Sequence, residues 1–301
     1  MSEHAFTILE SRGVLAVGGE DRVAFLQGLV STDVAAVSAT KAIHTAFLTA
    51  QGKYLHDFFI AALGEGFLLD CEAARIEDLK KRLSMYRLRS KVTIELRPDL
   101  AVAAVFGAGG AEALSLANEA GAAGAIDDGV AFVDPRLADA GARAILPAGS
   151  AAATLDAAGL AAGLPTDYDR LRLSLGLPDG SRDLVPEKSI LLENGFDELN
   201  GVDWDKGCYM GQELTARTKY RGLIKKRLMP VAVAGAAPAP GTKLMHDGKE
   251  AGEMRSSRDG LGLALVRLEH VEAQGGTLEL EAGGATVTLR KPAWDISQPA
   301  S

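Results

Sequence analysis

After Arg227 the chain reads LMPVAVAG, GTKLMHDG, KEAGEMRSS, LGLALVRL, GTLELEAG and GATVTLRK, a series of short apolar runs punctuated by glycine and proline. No run is long enough for a stable helix, and each is bounded by residues that turn the backbone. Six or so short strands with tight connections must hide their edges from water. A small antiparallel barrel or a sandwich does this. The spacing therefore predicts a β-rich domain over residues 228–301, with its boundary near residue 228.

Upstream the pattern is mixed. FTILE and GVLAVGG read as two strands joined at Ser11–Arg12, and EDRVAFLQGLV places Val23, Leu26 and Val30, with Phe25 and Leu29, on one helical stripe. AIHTAFLTAQGKYLHDFFIAAL predicts a hairpin about Gln51–Gly52–Lys53. FLLDCE is a further strand, ARIEDLKKRLSMYRL an amphipathic helix, and KVTIEL closes a first α+β unit over residues 1–98. Residues 99–164, rich in alanine and glycine, form a second α+β unit, with LAVAAVFG and ARAILP as strands. The segment 165–227 opens with a helix, DYDRLRLSLGLP, on which Tyr168, Leu171 and Leu175 share a face and which Gly176 and Pro178 end.

A chain of 301 residues exceeds what one small core needs, in keeping with two or three domains. No apolar run reaches the roughly 18 residues of a membrane span. MSEHAFTILE lacks the basic and apolar regions of a signal peptide, so a cytoplasmic location is expected. The two cysteines make no disulfide framework and no CxxC pair. They also fall short of the about four thiolates an iron–sulfur cluster takes, and no Cys or His pair has zinc-ligand spacing, so no resident metal is expected. A net charge of −8 argues against nucleic acid as a partner.

Against that acidity, DWDKGCYMGQELTARTKYRG (203–222) is conspicuous. Gly207 and Lys206 precede Cys208, and YMGQELTART is a helix candidate from about residue 209 to 218. With the sulfur near the helix N-terminus and a lysine close by, the thiolate is favoured, which marks Cys208 as a functional thiol. Glu213 and Arg217 have the spacing of a helical ion pair. Cys71 lies in an apolar strand and reads as inert. A hydrolase would need a histidine base, and His4, His44, His56, His246 and His270 fall in no triad motif. Arg217, Lys219, Arg221, Lys225, Lys226 and Arg227, with Trp204, Tyr209 and Tyr220 nearby in sequence, suit either a solvated basic face or a site for a carboxylated or phosphorylated small molecule, a flat conjugated acid among them, or an acidic partner.

KGCYMGQE followed by ARTKYRG and KKRL resembles the signature of the YgfZ-type folate-binding proteins, relatives of the glycine-cleavage T-protein that act in iron–sulfur cluster assembly. DRVAFLQGLVSTDV, AQGKYLHDFFI, RLSLGLPDGSRDLVPEK and GKEAGEMRSS resemble other segments of that family. The resemblance implies an α+β fold of three domains in a ring: two ferredoxin-like α+β units, the first completed by 165–227, and a C-terminal antiparallel β-barrel, around a central folate channel. It implies tetrahydrofolate, including polyglutamylated forms, as the ligand, and iron–sulfur clients or assembly proteins as partners, with no nucleic acid and no membrane. Cys208 and Lys206 take the reactive positions. Tyr209, Gly211, Gln212, Glu213, Arg217 and Arg221 take the binding positions. Tyr168 and Arg12 stand where relatives place pterin-contacting tryptophans. The implied role is a folate-binding accessory protein for assembly or repair of [4Fe–4S] clusters. A folate-dependent aminomethyltransferase or methyltransferase is the alternative.

Overall fold

A computed structural model describes residues 4–273, 278–292 and 294. The chain divides into two compact units. One takes in Met1–Ala50, Leu55–Tyr168 and Leu199–Met210, the other Gln51–Tyr54, Asp169–Glu198 and Gly211–Ser301.

The first unit is built on two sheets. Strands β1 (His4–Ile8) and β2 (Arg12–Gly18) follow one another in sequence but enter different sheets. Helix α1 (Arg22–Gln27), strands β3 (Ile43–Leu48), β4 (Tyr54–Leu63) and β5 (Gly66–Glu72), helix α2 (Ile76–Tyr86) and strand β6 (Thr93–Leu96) come next. They form a sheet of order β3-β4-β5-β2-β6. Then come β7 (Leu100–Gly107), α3 (Gly110–Ala113), β8 (Ala123–Ile126), β9 (Gly129–Val133), β10 (Ala142–Pro147), α4 (Ala151–Ala157) and β11 (Ala161–Ala162). These strands and β1 make the second sheet, β11-β1-β7-β10-β9-β8, with β1 parallel to β11 and antiparallel to β7.

Strand alternation sorts the apolar residues into three cores. On β2, Leu15 and Val17 join a core with α1 and α2, while Val14 joins one shared by the two sheets. On β4, Phe58 and Ile60 face the helices and Phe59 and Ala61 face the other sheet. On β7, Val102 and Ala104 complete the inter-sheet core, and Ala103 and Val105 face α3 and α4. Both faces of each sheet are thus covered, which is why these strands read as nearly continuous apolar runs. Helix α1 is shorter than its apolar stripe, ending at Gly28.

In the second unit, α5 (Pro165–Leu175), whose first residues belong to the other unit, is followed after a long segment by α6 (Gln212–Tyr220). Strands β12 (Lys226–Ala234), β13 (Lys243–His246), β14 (Lys249–Arg258) and β15 (Leu261–Arg267), helix α7 (Leu268–Ala273), and strands β16 (Glu279–Ala282) and β17 (Ala285–Leu289) follow. The six strands close into a barrel of order β12-β15-β14-β13-β16-β17. Met229, Val231, Ala264 and Val266 point inward, while Leu228, Leu263 and Leu265 point outward onto Leu173. The barrel answers the sandwich-or-barrel alternative. The expected C-terminal limit at residue 301 lies outside the described residues.

The helix α5 departs from its apolar reading. Its buried positions include Asp169 and Arg172, with Leu171 and Leu175 only half-buried. Arg172 donates to Asp169 (2.6 Å), Asp183 (2.8 Å) and Ser256 Oγ (2.9 Å), and Ser256 donates to Asp183. A register shift in β14 between Met254 and Ser257 turns Ser256 toward this network, a usual function of a bulge.

Two histidines of the first unit are buried. His56 meets Asp78 Oδ2 at 2.9 Å, and burial, seconded by Arg75, lowers its pKa to about 4. His44 meets Asp57 at 3.2 Å and is also lowered, chiefly by burial. For His56 the folded pKa lies below the unfolded value of 6.5. Its contribution is therefore intact above pH 6.5 and is lost as pH falls toward 4, because the unfolded chain takes a proton that the folded chain refuses. The full effect is on the order of 3 kcal/mol. Thermal unfolding measured from pH 7 to 4 should show this slope, and His56→Gln should flatten it. An unchanged slope would assign the acid sensitivity elsewhere.

Candidate functional site

The signature loop belongs to the first unit and is stitched to the end of α1. Ser31 Oγ donates to the Gly201 carbonyl (2.6 Å), the Asp203 N–H to the Ser31 carbonyl (2.9 Å), and the Met210 N–H to the Gly28 carbonyl (3.1 Å). Asp203 Oδ1 accepts the backbone N–H groups of Asp205 and Lys206, closing the turn that aims Lys206 inward. The Lys206 ammonium donates to three carbonyls: Gln27 at 2.9 Å, Val30 at 2.6 Å and Thr32 at 2.8 Å. Gln27 ends α1, so one of the three is a carbonyl at the helix C-terminus, the negative end, and the other two follow in the loop. The Tyr209 ring lies 5.2 Å from Nζ and covers the cation from one side. Burial lowers the pKa of this ammonium to about 8, against the opposing pull of Asp33 and Asp203.

Cys208, two residues on, is exposed. Two sequence expectations about it are corrected. Lys206 does not serve the sulfur, because its ammonium is bound inside the protein. The helix also starts later than expected: α6 begins at Gln212, four residues after Cys208 rather than at about residue 209. Gly207 is no close-approach glycine, since an added Cβ would meet nothing within 4 Å. The glycines that the backbone requires are elsewhere. Gly211 caps α6 at φ 82, and Gly52 stands at φ 78, where a Cβ would come 2.6 Å from that of Leu214. Cys71 is the opposite of Cys208. It is buried against α2's core, donates to the Leu69 carbonyl, and burial pushes its thiol far above the ordinary range.

Arg12 and Tyr168 come together, but inside the inter-sheet core. Arg12 Nε donates to Asp70 Oδ1 (2.6 Å) and Arg143 Nη1 to Asp70 Oδ2 (2.7 Å), while Arg143 Nη2 donates to the Tyr168 hydroxyl (2.9 Å). Arg136 pairs with Asp134 at 2.8 Å. Burial alone would raise the pKa of Asp134, but Arg136 and Arg143 hold it at about 2. The three guanidinium groups surround Phe59, with Arg143 closest at 4.1 Å from the ring centre. Arg12 is thus an ion-pair partner, and Tyr168 a buried ring against Phe106, so neither presents an open face for stacking. Asp70, Asp134, Arg136 and Arg143 were missed in the sequence. The available signal was strand parity: Asp70 in FLLDC alternates with Leu69 and Cys71 and so faces the other sheet.

On the second unit, Gly211, Gln212, Glu213, Arg217 and Arg221 lie along α6 and its cap. Glu213 and Arg217 are both exposed and form no ion pair, contrary to their spacing. Lys219 pairs with Asp197 at 3.3 Å. Arg227 is buried, paired with Glu198 and donating to the Leu192 carbonyl, so it leaves the basic cluster, while Arg217, Arg221 and Lys225 remain exposed. Among the described residues no three His, Cys, Asp or Glu side chains group as a metal site.

Compared with known proteins, residues 225–295 match the family model described as CAF17, C-terminal beta-barrel domain. The mitochondrial iron–sulfur cluster assembly factor IBA57 of Homo sapiens is 37% identical, the alignment covering 93% of this chain and 82% of that one. Its counterpart in Mus musculus is 34% identical over 95% and 84%. Among solved structures, the glycine cleavage system aminomethyltransferase T from Bartonella henselae has a TM-score of 0.77 at 17% identity, covering 99% of this chain and 86% of that one. That likeness establishes the fold, the T-protein-like α+β architecture with a terminal barrel. The cytoplasmic expectation is corrected, since these curated relatives are named as mitochondrial.

Proposed function

The chain belongs to the family of IBA57 iron–sulfur cluster assembly factors, and from that premise we propose that Cys208 is its working thiol, presented by a loop that Lys206 pins in place. The observation that carries this reading is the contrast of the two cysteines, one buried and inert, the other exposed on an anchored loop. One accessible thiol cannot enclose a cluster that takes about four ligands. Cys208 would therefore donate one thiolate, its proton passing to water, to a cluster whose remaining ligands a partner protein supplies. The client clusters are proposed to be of the [4Fe–4S] type. The test is to mix the protein with a cluster-loaded carrier protein and follow the cluster's visible absorption and circular dichroism. A spectral change that Cys208→Ser removes supports the reading, and one that persists in the variant rejects it.

Lys206 is a positioning residue in this scheme. Lys206→Met would leave the carbonyls of Gln27, Val30 and Thr32 without their donor, a loss of about 1–3 kcal/mol. Hydrogen exchange should quicken at residues 203–210 and 28–32 and leave the barrel strands as they were. Unchanged exchange in the loop would show that the backbone bonds alone hold it.

Tetrahydrofolate is proposed as a bound small molecule, supported by the T-protein-like fold and the resemblance of the signature. The residues that would meet its carboxylates are Arg217, Arg221 and Lys225, exposed cations near the exposed Tyr220. Arg12 and Tyr168 do not fit the stacking role, and no chemical step is routed through the ligand. Calorimetric titration should give tighter binding for the polyglutamylated form at low salt, weakened by Arg217→Glu with Arg221→Glu. No heat and no competition at high micromolar ligand would remove folate from the proposal, and turnover of an aminomethyl donor would favour the transferase alternative.

A further inference from the structure

The far end of α2 carries a surface that Cys208 does not use and that the fold uses only through Tyr86, whose ring stands edge-on to Phe47 at 6.1 Å. Residues 84–89, SMYRLR, are all exposed. Leu88 is 88% exposed, Met85 59% and Tyr86 43%. Leu88 is also held at φ 45, a left-handed conformation that a branched side chain avoids. An exposed leucine in that conformation adds nothing to folding, and an outlier of this kind is a pointer to function. Its turn is nevertheless firmly built. The Arg87 N–H donates to the Ser84 carbonyl and the Ser90 N–H to the Arg87 carbonyl (2.8 Å), while Asp21 Oδ2 accepts the Lys91 N–H at 2.7 Å. A shallow depression lined by Asp21, Leu88, Arg89 and Ser90 lies beside the tip.

The charge along this stretch of sequence is one-sided, although Asp21 and Glu20 border its end. From Leu79 to Ile94 the sequence holds six cations and no carboxylate, in a chain whose net charge is −8. Arg82 pairs with Asp78 and Lys91 with Glu20, while Lys80, Lys81, Arg87 and Arg89 have no ion-pair partner among the described residues. We propose that residues 80–89 form a docking surface for a partner protein whose face sets carboxylates around an apolar recess that receives Leu88. Tyrosine, methionine and arginine together are what buried interface centres favour. A second copy of this chain does not fit, because a two-fold contact would bring the same cations against each other. An extended polyanion or an anionic bilayer is disfavoured by the charge of the whole chain, −8.

The test replaces Leu88 in the full-length protein with a photo-crosslinking benzophenone amino acid, in cells, with the same replacement at Leu164 as control. Leu164 is 62% exposed and has no cation within three positions on either side. The expected result is a dominant adduct to one protein at position 88 and not at 164, lost when Arg87→Glu and Arg89→Glu are added. That protein, purified and titrated against this one, should bind about tenfold more weakly to Leu88→Ser and to the charge-reversed variant, and more weakly as salt rises. The unfolding midpoint of each variant, expected unchanged, separates lost docking from lost folding. Adducts to lipid, nucleic acid or a second copy, no adduct above the Leu164 control, or a partner that binds the reversed variant equally well would each overturn the proposal.

Discussion

On the proposed role of the thiol, Cys208→Ala is expected to leave the stability of the protein within about 0.5 kcal/mol of its original value and to remove its support of iron–sulfur enzymes in cells that lack it. The first half follows from exposure. The side chain that is lost fills no core, and the loop keeps Lys206, Asp203 and Met210 as its anchors. The second half follows from the absence of a substitute, because Cys71 is sealed beneath α2. Alkylation gives the sharper measurement. Cys208 should react as an accessible thiol, and Cys71 only through global opening, more slowly by at least about a thousandfold. Comparable rates would mean that the first sheet opens readily, and full activity of the alanine variant would end the role proposed for the sulfur.

Asp70→Asn is expected to destabilise the protein by about 3–5 kcal/mol. Asp70 is fully buried and accepts from both Arg12 and Arg143, so its neutralisation removes the carboxylate charge that these two guanidinium groups share in the inter-sheet core. Taking such charges out of water is tolerable only while the set is complete. Tyr168→Phe removes one neutral acceptor from Arg143 and should cost only about 1 kcal/mol. Denaturant midpoints at constant m-value compare the two directly. If Asp70→Asn costs no more than Tyr168→Phe, the cluster is held by packing around Phe59 and its charges are incidental.

Much of this architecture is written in local sequence. The apolar alternation of GVLAV, the turn at Gln51–Gly52–Lys53 and the short glycine-bounded runs after Arg227 each act over a few residues, and their elements form where periodicity places them. The contrast between Cys71 in an apolar strand and Cys208 in a polar, glycine-flanked loop was legible for the same reason. Where the reading failed, a partner far along the chain was responsible. Asp70 meets Arg143 across 73 positions, and Lys206 meets the Val30 carbonyl across 176. Lysine two residues before a cysteine looks like an activating charge, and arginine beside a strand looks like a surface cation, until the fold supplies carbonyls and carboxylates within 3 Å. Sequence by itself determined most strands of the first sheet and of the barrel, with their turns, and which cysteine reaches water. Tertiary structure alone decided what the charged residues do, because a charge is governed by whatever lies within a few ångströms of it, and folding assembles that neighbourhood from distant parts of the chain.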